Sequence, residues 1–255
     1  MTPADDASPT TDDAGAATAP PRHFHVVVNH FTRDGVWDGD LERAFSTLLQ
    51  AKADARHCTV SISVIVHESD VAFFTARFAS FENVAIKTLK SQERVPFIAD
   101  IFSAFEPDRA LSDPNRYAVY LNSDINVPYF FFDFVNMNLN IIKERSGLII
   151  NRKDIIHDDD FQHIYGNKTV DVYRHPGRDC FIFPELACKF FQLGDVRIAA
   201  PPIDHCILLN MLIHLDFVQV IDKPLITLHE GDGRLSAWND NKHMNNNKNN
   251  EISIV

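Results

Sequence analysis

At 255 residues, 45% of them hydrophobic and 11% aromatic, the chain can bury a sizeable core, as one large α/β domain or two small ones. Its 35 Asp+Glu outnumber 24 Lys+Arg and leave a net charge of -11, which repels phosphate backbones and anionic membranes and argues against nucleic acid as a partner. No run of about 18 apolar residues is present to span a bilayer, and the N-terminus lacks the basic-then-apolar order of a signal peptide, so a soluble, cytoplasmic protein without a membrane span is expected.

Residues 1–21, MTPADDASPTTDDAGAATAPP, hold four Asp, no Lys or Arg and, after Met1, no large apolar side chain. Such a segment cannot offset its ordering entropy and reads as a disordered leader. Without it the chain still carries a charge of about -7. Residues 22–238 read as a single folded domain. It opens with HFHVVVNHF, whose contiguous valines suit a strand buried on both faces. LERAFSTLLQAKA follows with a helical stripe of Leu41, Phe45, Leu48 and Leu49. CTVSISVIV then reads as a strand, VAFFTARFASF as a helix, ENVAIKTLK as a strand, and RVPFIADIFSAF as a helix introduced by Pro96. The order arrives at YAVYL as a fourth strand, which predicts a three-layer α/β sandwich with a mostly parallel central sheet.

In such sheets ligands bind beyond the carboxyl ends of the strands, and there YAVYL runs into Asn122, Ser123 and Asp124. Either this cluster serves a binding edge, or it caps the helix that follows. That helix is expected in NVPYFFFDFVNMNLNIIKER, with Pro128 in its first turn and the Phe run in the core. GLIINRKDI reads as a strand ending on Asn151, Arg152 and Asp154. VYRHPGRDCFIFP brings a Pro-Gly turn, Arg178 and Asp179 to an apolar strand. PPIDHCILLNMLIHL sets Asp204 at the mouth of a helix with Leu208, Met211, Leu212 and Leu215 inside. PLITLHEGDGRLSAW ends a strand on His229. Polar groups thus recur where rigid elements stop, as a cleft requires. Residues 239–255 open on NDNKHMNNNKNN, seven Asn in twelve residues, and read as an Asn-rich tail.

Other polar residues have plainer readings. Cys58, Cys180, Cys188 and Cys206 lie in apolar stretches without metal-type spacing and read as buried free thiols. His23 and His25 alternate onto one face of a strand, and no Cys or carboxylate adjoins them or His30 to make a zinc site. His157 to Asp160, HDDD, lacks the alternating spacing of a calcium loop and reads as a solvated loop.

A β-α-β-α-β-α-β half ending in a short acidic motif, then a mixed half with a late His, resembles the GT-A fold of nucleotide-sugar-dependent glycosyltransferases. The resemblance covers about residues 24–238 and rests on Asn122-Ser123-Asp124 followed in order by HPGRDCFIFP, PIDHCILLN and LHEGDGRLSAW. It implies transfer of a sugar from a nucleotide-diphosphate sugar to a hydroxyl acceptor. It also implies a divalent cation, Mn²⁺ or Mg²⁺, held by Asp124 and His229. Asn122 departs from the family pattern, which has an acid there, and leaves open a catalytically degenerate relative that only binds a sugar nucleotide, a glycan or a partner. By the same resemblance Asp204 would be the base that takes the acceptor proton, with Asp179 its rival. His30 and Asp100 would lie near the nucleotide. Arg94 and Arg152, by their charge, could steady the diphosphate or the nucleotide, although surface Arg also pairs with carboxylates. A nucleotidyltransferase on a similar sheet is disfavoured, because VVVNHFTRDG has only Gly35 and no Gly-rich phosphate loop.

Overall fold

Val26, Val27 and Val28 are all buried because their strand, β1 (Arg22–Asn29), runs through the middle of a sheet covered on both faces. The computed structural model describes residues 20–33, 35–91, 93, 95–142, 145–155, 172–198, 203–222 and 225–230. After β1 come a small hairpin of β2 (Thr32–Arg33) and β3 (Val36–Trp37), then α1 (Gly39–Asp54), β4 (Cys58–Val66), α2 (Val71–Phe78) and β5 (Val84–Thr88). Next are α3 (Ile98–Phe102), β6 (Arg116–Leu121), β7 (Ile125–Asn126), α4 (Phe131–Ile141) and β8 (Ser146–Ile155). The described part ends with β9 (Val172–Pro184), α5 (Ile203–His214), β10 (Phe217–Ile221) and β11 (Leu228–Glu230).

The main sheet runs β5-β4-β1-β6-β9-β8-β11-β7, with β10 also paired to β8. β5, β4, β1 and β6 are mutually parallel, and β8 is parallel to β10 and β11. β9 is antiparallel to both β6 and β8. It therefore turns β8 back into the direction of β6, and the carboxyl ends of β6 and β8 meet at one edge.

One face of the sheet buries the apolar stripes of α1, α2 and α4, including Leu41, Phe45, Phe74, Phe131 and Phe132. The other buries Ile98, Ile101 and Phe102 of α3 with Cys206, Ile207 and Met211 of α5. These are the three layers expected. Phe131 and Phe132 have no solvent exposure, and each contributes about 2 to 3 kcal/mol by burial. Gly147 of β8 lets α5 approach, since a Cβ there would lie 2.5 Å from Met211 Cε and 3.0 Å from the Ile182 carbonyl oxygen.

The structure corrects several boundaries. α3 has only five residues. α4 begins at Phe131, so Pro128 precedes the helix, and its carbonyl accepts from Phe131 N–H at 2.9 Å. The expected Pro-Gly turn at Pro176-Gly177 lies inside the continuous β9, where register shifts fall opposite Asn151. On α5, Leu212 is 56% exposed, while Cys206 and Ile207 turn inward. The four cysteines are free, with Cys180 and Cys206 buried and Cys58 and Cys188 half-buried. Most of the leader, the HDDD segment and the Asn-rich tail lie outside the described residues.

Candidate active site

The turn at Asn122 to Asp124 does not cap α4, because the helix starts well beyond it and its N-cap residue is Phe130. The chain instead continues into β7, which pairs with β11 so that Ile125 faces His229. On its other side β11 pairs with β8, His229 opposite Asp154. This double register puts the imidazole between the acid of the turn and the acid of β8. His229 Nε2 lies 3.4 Å from Asp124 Oδ2, and its Nδ1 lies 3.3 Å from Asp154 Oδ1.

Beyond Ile150 the core-facing parity of β8 passes to Arg152 and Asp154, while Asn151 and Lys153 both reach Asp222. Arg152 Nε lies 3.1 Å from Asp154 Oδ1, and its Nη1 lies 3.3 Å from Asp179 Oδ2. The extra residues of the irregular pairing lie on β9, where Asp179 falls between the partners of Ile150 and Asn151, so the bulge re-aims Asp179 while β8 keeps its alternation. Asp179 also accepts from Asn122 Nδ2, and its backbone carbonyl accepts from Asn122 N–H at 3.0 Å. Asn122, Asp124, Arg152, Asp179 and His229 are thus joined in one network. Asp204, at the start of α5, pairs with Arg178 Nη1 at 3.5 Å and with His205 Nδ1 at 2.9 Å.

Burial alone would lower the His229 imidazole, but the flanking Asp124 and Asp154 carboxylates outweigh it and hold its pKa at about 9. The Asp124 carboxyl would rise on burial, yet His229 and Arg152 keep it below the ordinary value. Asp179 behaves oppositely. Burial pushes its carboxyl up, Arg152 opposes, Asp124 adds to the push, and the outcome is about 6.

The other expected residues lie apart from this network. His30 has no exposure and is enclosed by Trp37, Phe45 and Phe74, with ring centroids 5.1 to 6.0 Å away. Burial lowers its pKa to about 3, so it is a neutral packing residue and presents no surface to a nucleotide. It does line, with Phe45, Asn122 and Ser123, a pocket too tight for a water molecule. Asp100 accepts from Ser91 N–H at 3.1 Å and fastens a loop. Arg94 lies outside the described residues. Ser123 belongs to the turn and to the pocket wall. His23 hydrogen-bonds Thr59 and Ser61, and His25 hydrogen-bonds Ser63 and Glu185. The sequence placed Asp154 and Arg178 among the polar groups at element ends and gave neither a specific role. The available signal for Asp154 was its spacing of two from Arg152 in an otherwise apolar strand.

No family model matches the sequence, and no curated protein matches it. Solved structures do. S. aureus TarS 1-349 in complex with UDP is 11% identical with a TM-score of 0.54, covering 82% of this chain and 61% of that one. The same protein in complex with UDP-GlcNAc is 10% identical, with a TM-score of 0.54 and coverage of 82% and 59%. The chain has the GT-A-type, nucleotide-diphospho-sugar transferase-like fold. It spans about 60% of the length of these two TarS structures. Among the described residues no cluster of three or more His, Cys, Asp or Glu is arranged to hold a metal ion, and no helix is long and apolar enough to cross a membrane.

Proposed function

We propose that the chain transfers a sugar from a nucleotide-diphosphate sugar to a hydroxyl acceptor, with a divalent cation, Mn²⁺ or Mg²⁺, on the donor diphosphate. The observation that carries this reading is the approach of Asp124 Oδ2 to His229 Nε2 within 3.4 Å at the carboxyl edge of the sheet. Two ligands of one octahedral ion, each with bonds of about 2.1 Å, stand roughly 3 Å apart when adjacent. The buried Asp124 Oδ1 has no hydrogen-bond partner among the described residues. The pair therefore fits a cation that takes its remaining ligands from the donor. An imidazole ligand favours Mn²⁺ over Mg²⁺. Such a cation would spread the charge that develops on the leaving diphosphate.

In the transfer itself, the acceptor oxygen bonds to the anomeric carbon as the bond from that carbon to the diphosphate oxygen breaks. The acceptor proton passes to a carboxylate. Asp204, at the helix start and the more open of the two acids, is the base in this reading. Asp179, held from two sides, orients the donor sugar or the acceptor. Arg152 and Arg178 supply positive charge facing the diphosphate. A uridine diphosphate donor is the first to test, because the TarS structures hold UDP and UDP-GlcNAc.

The alternative, a catalytically degenerate binding protein, is favoured by Asn122 in place of an acid. Turnover separates the two. Asp124→Ala should abolish donor hydrolysis and transfer while the protein melts as the wild type does; full retained activity would overturn the assignment. Calorimetry with UDP, with and without Mn²⁺, should show cation-assisted binding that Asp124→Ala loses.

A further inference from the structure

Asn122 stands where the resemblance has an acid, yet its carboxamide has a partner that a carboxylate could not serve. Its Nδ2 donates to Asp179 Oδ1, and its backbone N–H donates to the Asp179 carbonyl at 3.0 Å. The other Asp179 oxygen faces Arg152 Nη1 at 3.3 Å. Asp179 is only 7% exposed, so one neutral donor and one cation determine where its carboxylate points. An acid at position 122 would set two carboxylates at hydrogen-bond distance, in a place where Asp124 and Asp204 already act on Asp179. One of them would then have to take a proton or move away.

We propose that Asn122 is a positioning residue whose amide holds the Asp179 carboxylate in place against Arg152, so that an acid at 122 weakens the site instead of restoring it. What Asp179 does for the substrate rests on the sugar-transfer reading; the pairing itself does not. The amide is a working part of this site and not a relic of a lost one. A buried amide-to-carboxylate bond is directional, and exchanging its two ends should preserve the bond while moving the acid.

The test uses the full chain with Asn122→Ala, Asn122→Asp, Asp179→Asn and the double variant Asn122→Asp/Asp179→Asn. Melting temperature at pH 7.5, UDP affinity and UDP-GlcNAc turnover are measured for each. Asn122→Asp should melt several degrees lower and lose about tenfold or more in turnover, whereas the double variant should recover the melting temperature but not the turnover. Asn122→Ala, which adds no charge, should lower kcat about tenfold with KM for the donor within about threefold, as expected of a residue that orients another. Turnover of Asn122→Asp at or above the wild-type level would overturn the proposal, as would a double variant that melts no higher than the sum of the two single effects predicts. Should the wild type neither bind UDP nor turn over a sugar nucleotide, the functional reading fails by itself. The melting cycle then still decides the pairing, with additive effects of the two substitutions refuting it.

Discussion

Asp179→Asn should stabilise the protein at alkaline pH and do little in acid. The carboxyl has a native pKa of about 6 against an ordinary value of 3.8. A group whose pKa is raised by folding contributes stability that is complete below the unfolded value and lost as pH rises through the native one. Ionising Asp179 in its buried place thus costs the native state about 3 kcal/mol at pH 8 and about 1 kcal/mol at pH 4.5. The pull of Arg152 is already contained in that pKa, and the side chain is only 10% exposed, so solvent screening removes little. Asparagine resembles the neutral acid in shape and can still accept from Asn122. For a domain of this size, where 1 kcal/mol moves the melting point by about 2 to 4 °C, the variant should gain about 6 to 12 °C at pH 8 and about 2 to 4 °C at pH 4.5. Scanning calorimetry across that range measures the difference, and donor turnover should fall in the same variant. A pH-independent change, or destabilisation at pH 8, would refute the reasoning, because it would mean that Asp179 is no harder to ionise in the folded protein than in the unfolded one.

Other measurements probe the same construction. Because His229 titrates near 9, a cation it ligates must displace a proton; Mn²⁺ affinity should rise about tenfold per pH unit between pH 7 and 9, with calorimetry in two buffers reporting one proton released. Gly147→Ala forces a Cβ against Met211, Leu215 and the Ile182 carbonyl, and overpacking of this kind should cost about 1 to 3 kcal/mol, read as a lower midpoint in urea. Glu185 has no exposure and accepts from His25, Glu106 N–H and Arg116. Burial would raise its carboxyl, but these partners hold it down to about 2. Its stabilisation is present above its ordinary value of 4.5 and lost as pH falls through 2. Glu185→Ala should cost about 3 to 5 kcal/mol by leaving Arg116 buried without its main partner, and a melting point within 2 °C of wild type would count against that network.

The sequence announced its long buried strands because their composition leaves little choice. CTVSISVIV is β4 from first residue to last, and the valines of β1 sit where a two-sided sheet would put them. Short pairings gave no such signal. β7 has two residues and β11 three, and their hydrophobic pattern is too brief to have a period; only long-range register brings Asp124 to His229. The inward face of α5 was misjudged at Leu212 because IDHCILLNMLIH is apolar nearly all round, so spacing alone could not choose the buried side. His30 was misjudged because its position after β1 is suggestive, whereas the rings that enclose it come from α1, α2 and the β2–β3 hairpin. Asp154 was grouped with Arg152 but given no specific role, because its contact with His229 depends on the long-range pairing of β8 with β11.

The charges of the site bear on how a ligand would reach it. Four carboxylates, Asp124, Asp154, Asp179 and Asp204, alternate with three cationic groups, His229, Arg152 and Arg178, each acid lying within 3.5 Å of a cation. With His229 protonated the set is close to neutral, and no surplus positive charge remains to draw in a bare diphosphate. An anion arriving alone would compete with Asp124 for His229 and with Asp179 and Asp154 for Arg152. A diphosphate that carried a divalent cation would offer Asp124 a stronger partner than a protonated imidazole, and loss of the imidazole proton would free His229 to hold the same ion. On the proposed reading the internal ion pairs would disfavour a metal-free nucleotide and would yield to a metal-bound one. This is why the proposed donor is a metal-nucleotide complex and not the free nucleotide, and why Asp124→Ala should remove the dependence of UDP binding on Mn²⁺ along with the turnover.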